Sequence, residues 1–373
     1  MNFPGLDPFW SGLHHAARGL GAIRPWTLEE ARAELAREGK VLVVATTALG
    51  DSLLTLPLVE SLAQALGHAR VSLLVRAPYA DLFRGDPRLH RVFSVRGKYR
   101  WEGLVAGLKR DPHRIALLAN MTEPDLVPAL WHGGVRAFLR YPTRWTRYPR
   151  WMANAEMLRP PGAPDYATGH AIENNLAMAE ALRIAPSTHR LALPQWAAKE
   201  RTRRVLIHPG ASRAIKRWPL ENWVRVADAL VETYEVDLML TGSDAEKPLA
   251  QAVKDGMARP DRAEVVTGAL TLPKLAAAQS GSVAFLSGDT GPYHLAVAVG
   301  CPTVTLFAPT DRGSSMEACG PHQADPALHR AIQTAALGDS IGTILFEAFW
   351  AEVEKVMPPA LARDFPATPP ASG

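Results

Sequence analysis

The stretch VAFLSGDTGPYHLAVAVGCPTVTLFAPT, from Val283 to Thr310, constrains the fold more than any other part of the chain. An apolar run (Val283 to Leu286) leads into a turn of small residues, Ser287-Gly288-Asp289-Thr290-Gly291. A short helix is predicted to open at Pro292, and a second apolar strand to run from Thr303 to Phe307. Proline at a first helical position and Gly300 just past the last one are normal helix punctuation. Such a turn aims backbone N–H groups and the positive end of a helix dipole at one point, which suits an anion such as phosphate. An ordinary tight turn between strand and helix has the same sequence character, and the turn alone does not separate the two.

The same alternation recurs along the chain. Val41 to Thr47, Val71 to Arg76, Arg91 to Val95 and Arg114 to Asn120 read as strands, with Ser52 to Gly67 as a helix among them. Thr27 to Gly39 precedes them as a helix with a capping box, Thr27 and Glu30. Residues 1–26, rich in Gly, Pro and Trp, read as irregular. A second series starts at Arg204, with strands at Val205 to Gly210, Val236 to Gly242 and Glu264 to Gly268 before the stretch above. Apolar strands alternating with helices predict parallel sheets covered on both faces, in two Rossmann-like halves. Ile341 to Met357 is predicted as one amphipathic helix, and the tail after it as disordered. The expected division is an extension (1–39), an N-terminal domain (40–195), a C-terminal domain (196–340), and a final helix with tail (341–373).

Composition narrows the class. A chain of 373 residues, 47% hydrophobic and 21% charged, is a globular protein large enough for two domains. A net charge of +4 is compatible with anionic ligands and too small to imply nucleic acid. Cys301 and Cys319 form no CxxC or Cys/His pattern, so no disulfide framework, zinc site or other metal is indicated, and a reducing, cytoplasmic setting is expected. No apolar run approaches the roughly 18–20 residues of a membrane span. The N-terminus lacks the pattern of a secretory signal.

Four segments carry candidate chemistry. In TALGDSLLTLP, Asp51 follows a strand, where open α/β sheets bind ligands; it reads as a general base or as a helix N-cap. In HPGASRAIKRWPLENW, Ser212, Lys216 and Arg217 lie in a strand-end loop suited to a diphosphate, or simply a solvated basic loop. There His208 reads as a satisfied strand-end histidine, and Trp218 and Trp223 as core. In LTGSDAEKPLA, Glu246 lies in the first turn of a helix, as a ribose-binding carboxylate or a complement to the helix dipole. In GDTGPYHLA the titratable members are Asp289 and His294, the latter also readable as a core histidine. Between Val135 and Pro164 the alternation breaks, and Arg136, Arg140, Arg144, Arg147 and Arg150 alternate with Tyr and Trp; Arg144 and Arg147 are the candidates for docking an anionic or amphiphilic acceptor, or a membrane surface. No G-x-G-x-x-G follows a strand, and no Walker A or G-x-S-x-G sequence occurs, which argues against dinucleotide oxidoreductases, P-loop NTPases and α/β-hydrolases.

In this order, the segments ALGDSLLTLP, HPGAS-x-x-K-x-W, TG-x-x-x-E, TGALTLPKLA and GDTGPYHLA-x-A-x-G-x-P resemble the heptosyltransferases, glycosyltransferase family 9, over roughly Val41 to Met357. The resemblance implies a GT-B fold, with two Rossmann-like domains facing a cleft and the C-terminal helix returning to the N-terminal domain. It implies an inverting transferase needing no metal or cofactor, which moves a sugar from a nucleotide-sugar such as ADP-heptose to a lipid-linked glycan such as lipopolysaccharide inner core. Position by position, it makes Asp51 the catalytic base and puts Lys216 and Ser212 at the leaving diphosphate. Glu246 falls at the nucleoside, and Asp289, Thr290, Gly291 and His294 at the donor phosphate and sugar. A cytoplasmic enzyme, peripheral to the inner membrane, is the corresponding location. A GT-B nucleotide-sugar 2-epimerase and a non-catalytic sugar-nucleotide-binding protein are the alternatives.

Overall fold

The structure is a computed structural model and describes residues 8–20, 24, 26–96, 101–120, 126–141, 157–163, 169–198, 200–310 and 314–357. The chain divides into two compact units, Met1–His189 and Arg190–Gly373.

Among the described residues, the first unit holds a sheet of six parallel strands: β1 (Val41–Ala45), β2 (Val71–Arg76), β3 (Arg91–Val95), β4 (Ile115–Asn120), β5 (Ala137–Leu139) and β6 (Met157–Leu158). They lie in the order β3-β2-β1-β4-β5-β6. β1 is buried along its whole length, which is why it reads as an unbroken apolar run. Leu42, Val44, Leu74, Ala116 and Leu118 pack with Trp101, Leu104, Leu108 and Leu130 into a core on one side of the sheet. The order reverses between β1 and β4, so the crevice at the carboxyl ends of those two strands is the topological switch point.

Three expectations for this unit are corrected. The segment Pro8–Gly19, expected to be irregular, is a helix; it packs on the helix Leu126–Gly133, with His14 buried against the rings of Trp131 and His132. Tertiary packing overrides the weak local preference of its Gly, Pro and Trp residues. The single helix expected from Ser52 to Gly67 is two helices, Leu49–Leu53 and Leu56–Leu66. Pro57 lies in the first turn of the second, where its missing N–H costs nothing. β5 and β6, short strands inside the Arg/aromatic region, carry no alternation by which to recognise them.

The second unit repeats the plan. Its strands are β7 (Thr202–His208), β8 (Asp237–Leu240), β9 (Ala263–Val265), β10 (Ser282–Gly288), β11 (Thr303–Phe307) and β12 (His329–Gln333). They are parallel, in the order β12-β11-β10-β7-β8-β9, the same Rossmann order with its switch point between β7 and β10. β12 was not expected from the sequence; only its first residue, His329, is buried, so its pattern is mixed.

The end of the chain departs from expectation. Ile341–Thr343 is a single 3₁₀ turn, and the helix proper is Phe346–Val356. It packs on the second unit's own sheet and on the helix Leu220–Tyr234. Its Phe349 ring meets Trp218 at 4.9 Å and Trp223 at 5.9 Å, and Trp218 Nε1 donates to Ile344 O at 2.8 Å. Aromatic pairs at these separations add attraction beyond the area they bury, which holds this apolar face to its own unit. Replacing Phe349 by Ala is expected to destabilise the C-terminal unit by about 3–5 kcal/mol. Urea unfolding followed through tryptophan fluorescence should show that loss; a change below about 1 kcal/mol would mean the helix contributes little to this core.

Candidate functional site

The chemistry of the C-terminal unit converges on Asp289, the residue after β10. Its backbone N–H donates to Leu306 O at 2.9 Å, which fixes the chain between β10 and β11. Its side chain is only 7% exposed. Lys216 Nζ donates to Asp289 Oδ2 at 2.6 Å, and the Ser314 hydroxyl bonds the same oxygen. His294 Nε2 stands 3.8 Å from Oδ1, an electrostatic rather than a hydrogen-bonding distance. Burial opposes ionisation of this carboxyl, but His294 and Lys216 outweigh it and hold Asp289 well below the usual carboxylate range.

The local chain explains how these groups meet. Lys216 ends a 3₁₀ turn, Ala214–Lys216, in the loop after β7. Arg217 Nε ties that loop back to Ala211 O at 2.9 Å. The loop passes directly over Gly288, where a Cβ would lie 3.1 Å from the Lys216 carbonyl oxygen, so any side chain there would push the loop away by a few tenths of an ångström. Ser212 is exposed on the same loop. The helix Gly291–Ala298 starts immediately after Thr290, which is its N-cap by backbone conformation. Thr290 Oγ1 is buried and has no hydrogen-bond partner among the described residues. A buried hydroxyl beside the Gly291 N–H at a helix start is a place for an anion.

Ser314 and Cys319 were missed from the sequence. The segment they occupy carries no motif of its own, and only the fold brings it back to β10. Thr310 N donates to Ser314 O at 2.8 Å, which ties Ser314 to the residues that follow β11. Ligand atoms of Asp289, His294 and Cys319 lie within 4.8 Å of one another, a set that could hold a metal ion. The cation on that carboxylate in this structure is Lys216.

A second group lies at the carboxyl ends of β7 and β8. Glu246 Oε2 accepts from Ser243 N and Ser243 Oγ, each at 2.8 Å. A Cβ on Gly210 would overlap Glu246 Oε1, so the glycine of HPG is what lets the carboxylate rest on the turn after β7. Burial again opposes ionisation of Glu246, but the Ser243 bonds, His208 and Arg217 outweigh it and the carboxyl is held down. His208, 6% exposed, lies with Nδ1 3.3 Å from Thr241 Oγ1. Burial pushes its imidazole down, with Glu246 pulling the other way.

In the N-terminal unit, Asp51 is half-buried at the third position of Leu49–Leu53, after β1. It is not the N-cap; that is Ala48, whose N–H donates to Asp51 Oδ2 at 3.3 Å. This places Asp51 at the switch point of its own sheet. Thr47 Oγ1, nearby, is buried without a partner among the described residues. Arg144 and Arg147 lie outside the described residues. The structure therefore brings together Lys216, Asp289, Thr290, Gly291 and His294, and sets Glu246 on the neighbouring loop.

This geometry has known counterparts. The sequence model of glycosyltransferase family 9 (heptosyltransferase) matches residues 170–325, which span both groups of the C-terminal unit. Lipopolysaccharide heptosyltransferase 1 of Pseudomonas aeruginosa is 27% identical over 293 residues, covering 74% of this chain and 80% of its own. Lipopolysaccharide heptosyltransferase 3 of Escherichia coli is 23% identical over 286 residues, covering 70% and 81%. Among solved structures, a family 9 glycosyltransferase from Veillonella parvula superposes with a TM-score of 0.69 at 18% identity, covering 86% of this chain and 97% of its own. The E. coli heptosyltransferase WaaC solved with ADP gives 0.68 at 18%, covering 85% and 99%. These last two establish the GT-B fold. The matched family model and the sequence relatives make the chain a glycosyltransferase similar to the heptosyltransferases of glycosyltransferase family 9.

Proposed function

We propose that this chain transfers heptose from ADP-heptose to a hydroxyl of lipopolysaccharide inner core, with inversion and without a metal. The observation that carries the reading is the Lys216–Asp289–His294 group beside the Thr290 helix start, set at the switch point of the C-terminal sheet. It is a cation and a set of donors held in advance where a leaving diphosphate needs them. The relatives named above are heptosyltransferases, and one was solved with ADP, which supports the donor. An epimerase would need no acceptor and no base for it.

On this reading each residue has a role. Asp51 takes the proton of the acceptor hydroxyl as the new glycosidic bond forms. The bond from the anomeric carbon to the diphosphate breaks, and the diphosphate leaves with the electron pair. Lys216 has three N–H donors; Asp289 holds two, at Oδ2 (2.6 Å) and at its carbonyl oxygen (3.5 Å), and the third is assigned to the leaving diphosphate. Ser212, Thr290 and the N–H of Gly291 complete that cradle, and His294 sits at the donor sugar phosphate. Glu246 holds the ribose. Arg144 and Arg147 are assigned to the anionic acceptor. Among the described residues no helix is long and apolar enough to cross a membrane. The enzyme is placed in the cytoplasm, working at the inner membrane's surface.

Calorimetric titration with ADP, UDP, GDP and dTDP, with and without EDTA, tests the donor. ADP should bind in preference and keep its affinity in the chelator; preference for another nucleotide would overturn the ADP-heptose assignment. Asp51→Asn is expected to lower transfer by about 100- to 10,000-fold while ADP binds as before; loss of ADP binding in that variant would sink the base assignment. Lys216→Ala should weaken ADP by about tenfold or more. It should also destabilise the unit by as much as about 3–5 kcal/mol, because Asp289 stays buried without its cation. Adding Asp289→Asn should recover part of that stability. The Asp289 carboxyl is lowered in the folded state, so the pair's contribution is complete above the unfolded carboxylate value of about 3.9 and is lost only as pH falls towards the folded value. The stability difference between wild type and Lys216→Ala should thus be flat from about pH 5 to 8. A difference that shrinks within that range would show the carboxyl titrating there.

A further inference from the structure

Asp289 Oδ1 and His294 Nε2 lie 3.8 Å apart. That is too long for a hydrogen bond between them. It is close to the spacing of two ligands on one small cation, since a tetrahedral zinc ion with bonds of about 2.0–2.3 Å sets its ligands roughly 3.3–3.8 Å apart. Both side chains are buried, at 7% and 5% exposure. Cys319 Sγ completes a group of three whose ligand atoms all lie within 4.8 Å of one another. The thiol is half-buried, which leaves an ion a way in. No Cys/His spacing announces this set, because the fold and not the local chain brings Cys319 to the other two.

Each of the three is held from a different part of the unit. Asp289 Oδ2 is engaged by Lys216 at 2.6 Å and by the Ser314 hydroxyl, which fixes the carboxylate and leaves Oδ1 facing His294. Hydrogen bonds to the far oxygen are what outer partners supply to a metal-binding carboxylate. His294 lies in the first turn of the helix Gly291–Ala298, its ring 4.7 Å from that of Tyr293. Cys319 ends the short helix Met316–Cys319. Met316 N donates to Gln333 Oε1 at 2.7 Å, which ties that helix to β12, and Cys319 N donates to Ser315 O at 3.0 Å. Thiolate, imidazole and carboxylate together suit zinc; magnesium and calcium take oxygen ligands. Three protein ligands leave the fourth position of a tetrahedral ion open.

We propose that Asp289, His294 and Cys319 bind a zinc ion that reversibly inhibits this enzyme. On binding, the Cys319 thiol gives its proton to solvent, and its sulfur, His294 Nε2 and Asp289 Oδ1 each donate an electron pair to the metal. The transfer proposed above uses no metal, and it assigns His294 to the donor sugar phosphate. Zinc takes the His294 nitrogen away from that task. The inhibition therefore rests on that reading, whereas the binding of zinc does not. Cys319 has no part in the transfer, so its removal separates the two.

The test is cobalt(II) titration of the full chain followed by absorption, with zinc as competitor. Wild type should show the d–d bands of a tetrahedral ion and a thiolate-to-cobalt charge-transfer band, both abolished by zinc. Cys319→Ala should lose the charge-transfer band and weaken zinc by about a hundredfold or more, since even an outer partner of a metal site is worth about 10- to 100-fold. Cys301→Ala, which removes the other, buried cysteine, should keep the band. Transfer measured in EDTA should be the same in wild type and Cys319→Ala. Zinc should suppress it in wild type and spare Cys319→Ala at the same concentration, and excess EDTA should restore it. Absence of the charge-transfer band in wild type, or its survival in Cys319→Ala, overturns the site. A band without loss of transfer, or equal loss in both proteins, overturns the inhibition. If wild type transfers no sugar even in EDTA, the functional reading has failed, and the cobalt spectra still decide the zinc site.

Discussion

The buried ion pair between Lys216 and Asp289 is the contact on which the arrangement of the C-terminal unit's site depends. A carboxylate this enclosed is costly to ionise unless charge and hydrogen bonds surround it. Here they arrive from separate parts of the chain. Lys216 comes from the loop after β7, His294 from the helix after β10, and Ser314 from the loop after β11. One side chain thus ties together the carboxyl ends of three adjacent strands. Removing its charge would release all three loops at once, which is why the pair is structural before it is chemical.

Much of the fold was legible because parallel strands covered on both faces are written as continuous apolar runs. Val41 to Ala45 and Ser282 to Gly288 are buried at every position and could be read directly. The strands that escaped reading are very short or only partly buried. Ala137–Leu139 has three residues, Met157–Leu158 two, and His329–Gln333 only one that is buried. Such strands exist because a neighbour is already in place to pair with them. The final helix shows the complementary limit. Phe349, Val353 and Val356 recur at helical spacing, so an apolar face was evident. Which surface it covers depends on Trp218 and Trp223, more than a hundred residues earlier, and no local pattern encodes that.

The site divides along the same line. Asp289 and Lys216 were each visible as a charged residue in a strand-end loop, but their pairing follows from Gly288, whose missing side chain lets one loop pass over the other. Glu246 was visible as a carboxylate in a helix's first turn. That one of its oxygens is spent on Ser243 and the other rests on Gly210 appears only in three dimensions. Ser314 had no signal, because a lone serine in an irregular segment carries none.

A carboxylate within a phosphate site needs an explanation, since like charges repel. Asp289 neutralises much of the charge that Lys216 would otherwise offer to a diphosphate. What it returns is position. A free lysine has long, flexible rotamers to lose on binding, whereas one already held at 2.6 Å by a buried partner has lost them in folding. The same holds for His294, kept beside Oδ1, and for the Thr290 helix start, built into β10's continuation. On the proposed reading the site favours charge that develops on a leaving group over charge already present on a bound donor. Oriented donors with little net charge distinguish the two better than an open cation would, because their advantage grows as the bond to the diphosphate breaks. A chain of modest net charge can in this way serve a strongly anionic ligand without an unpaired cationic cluster in its core.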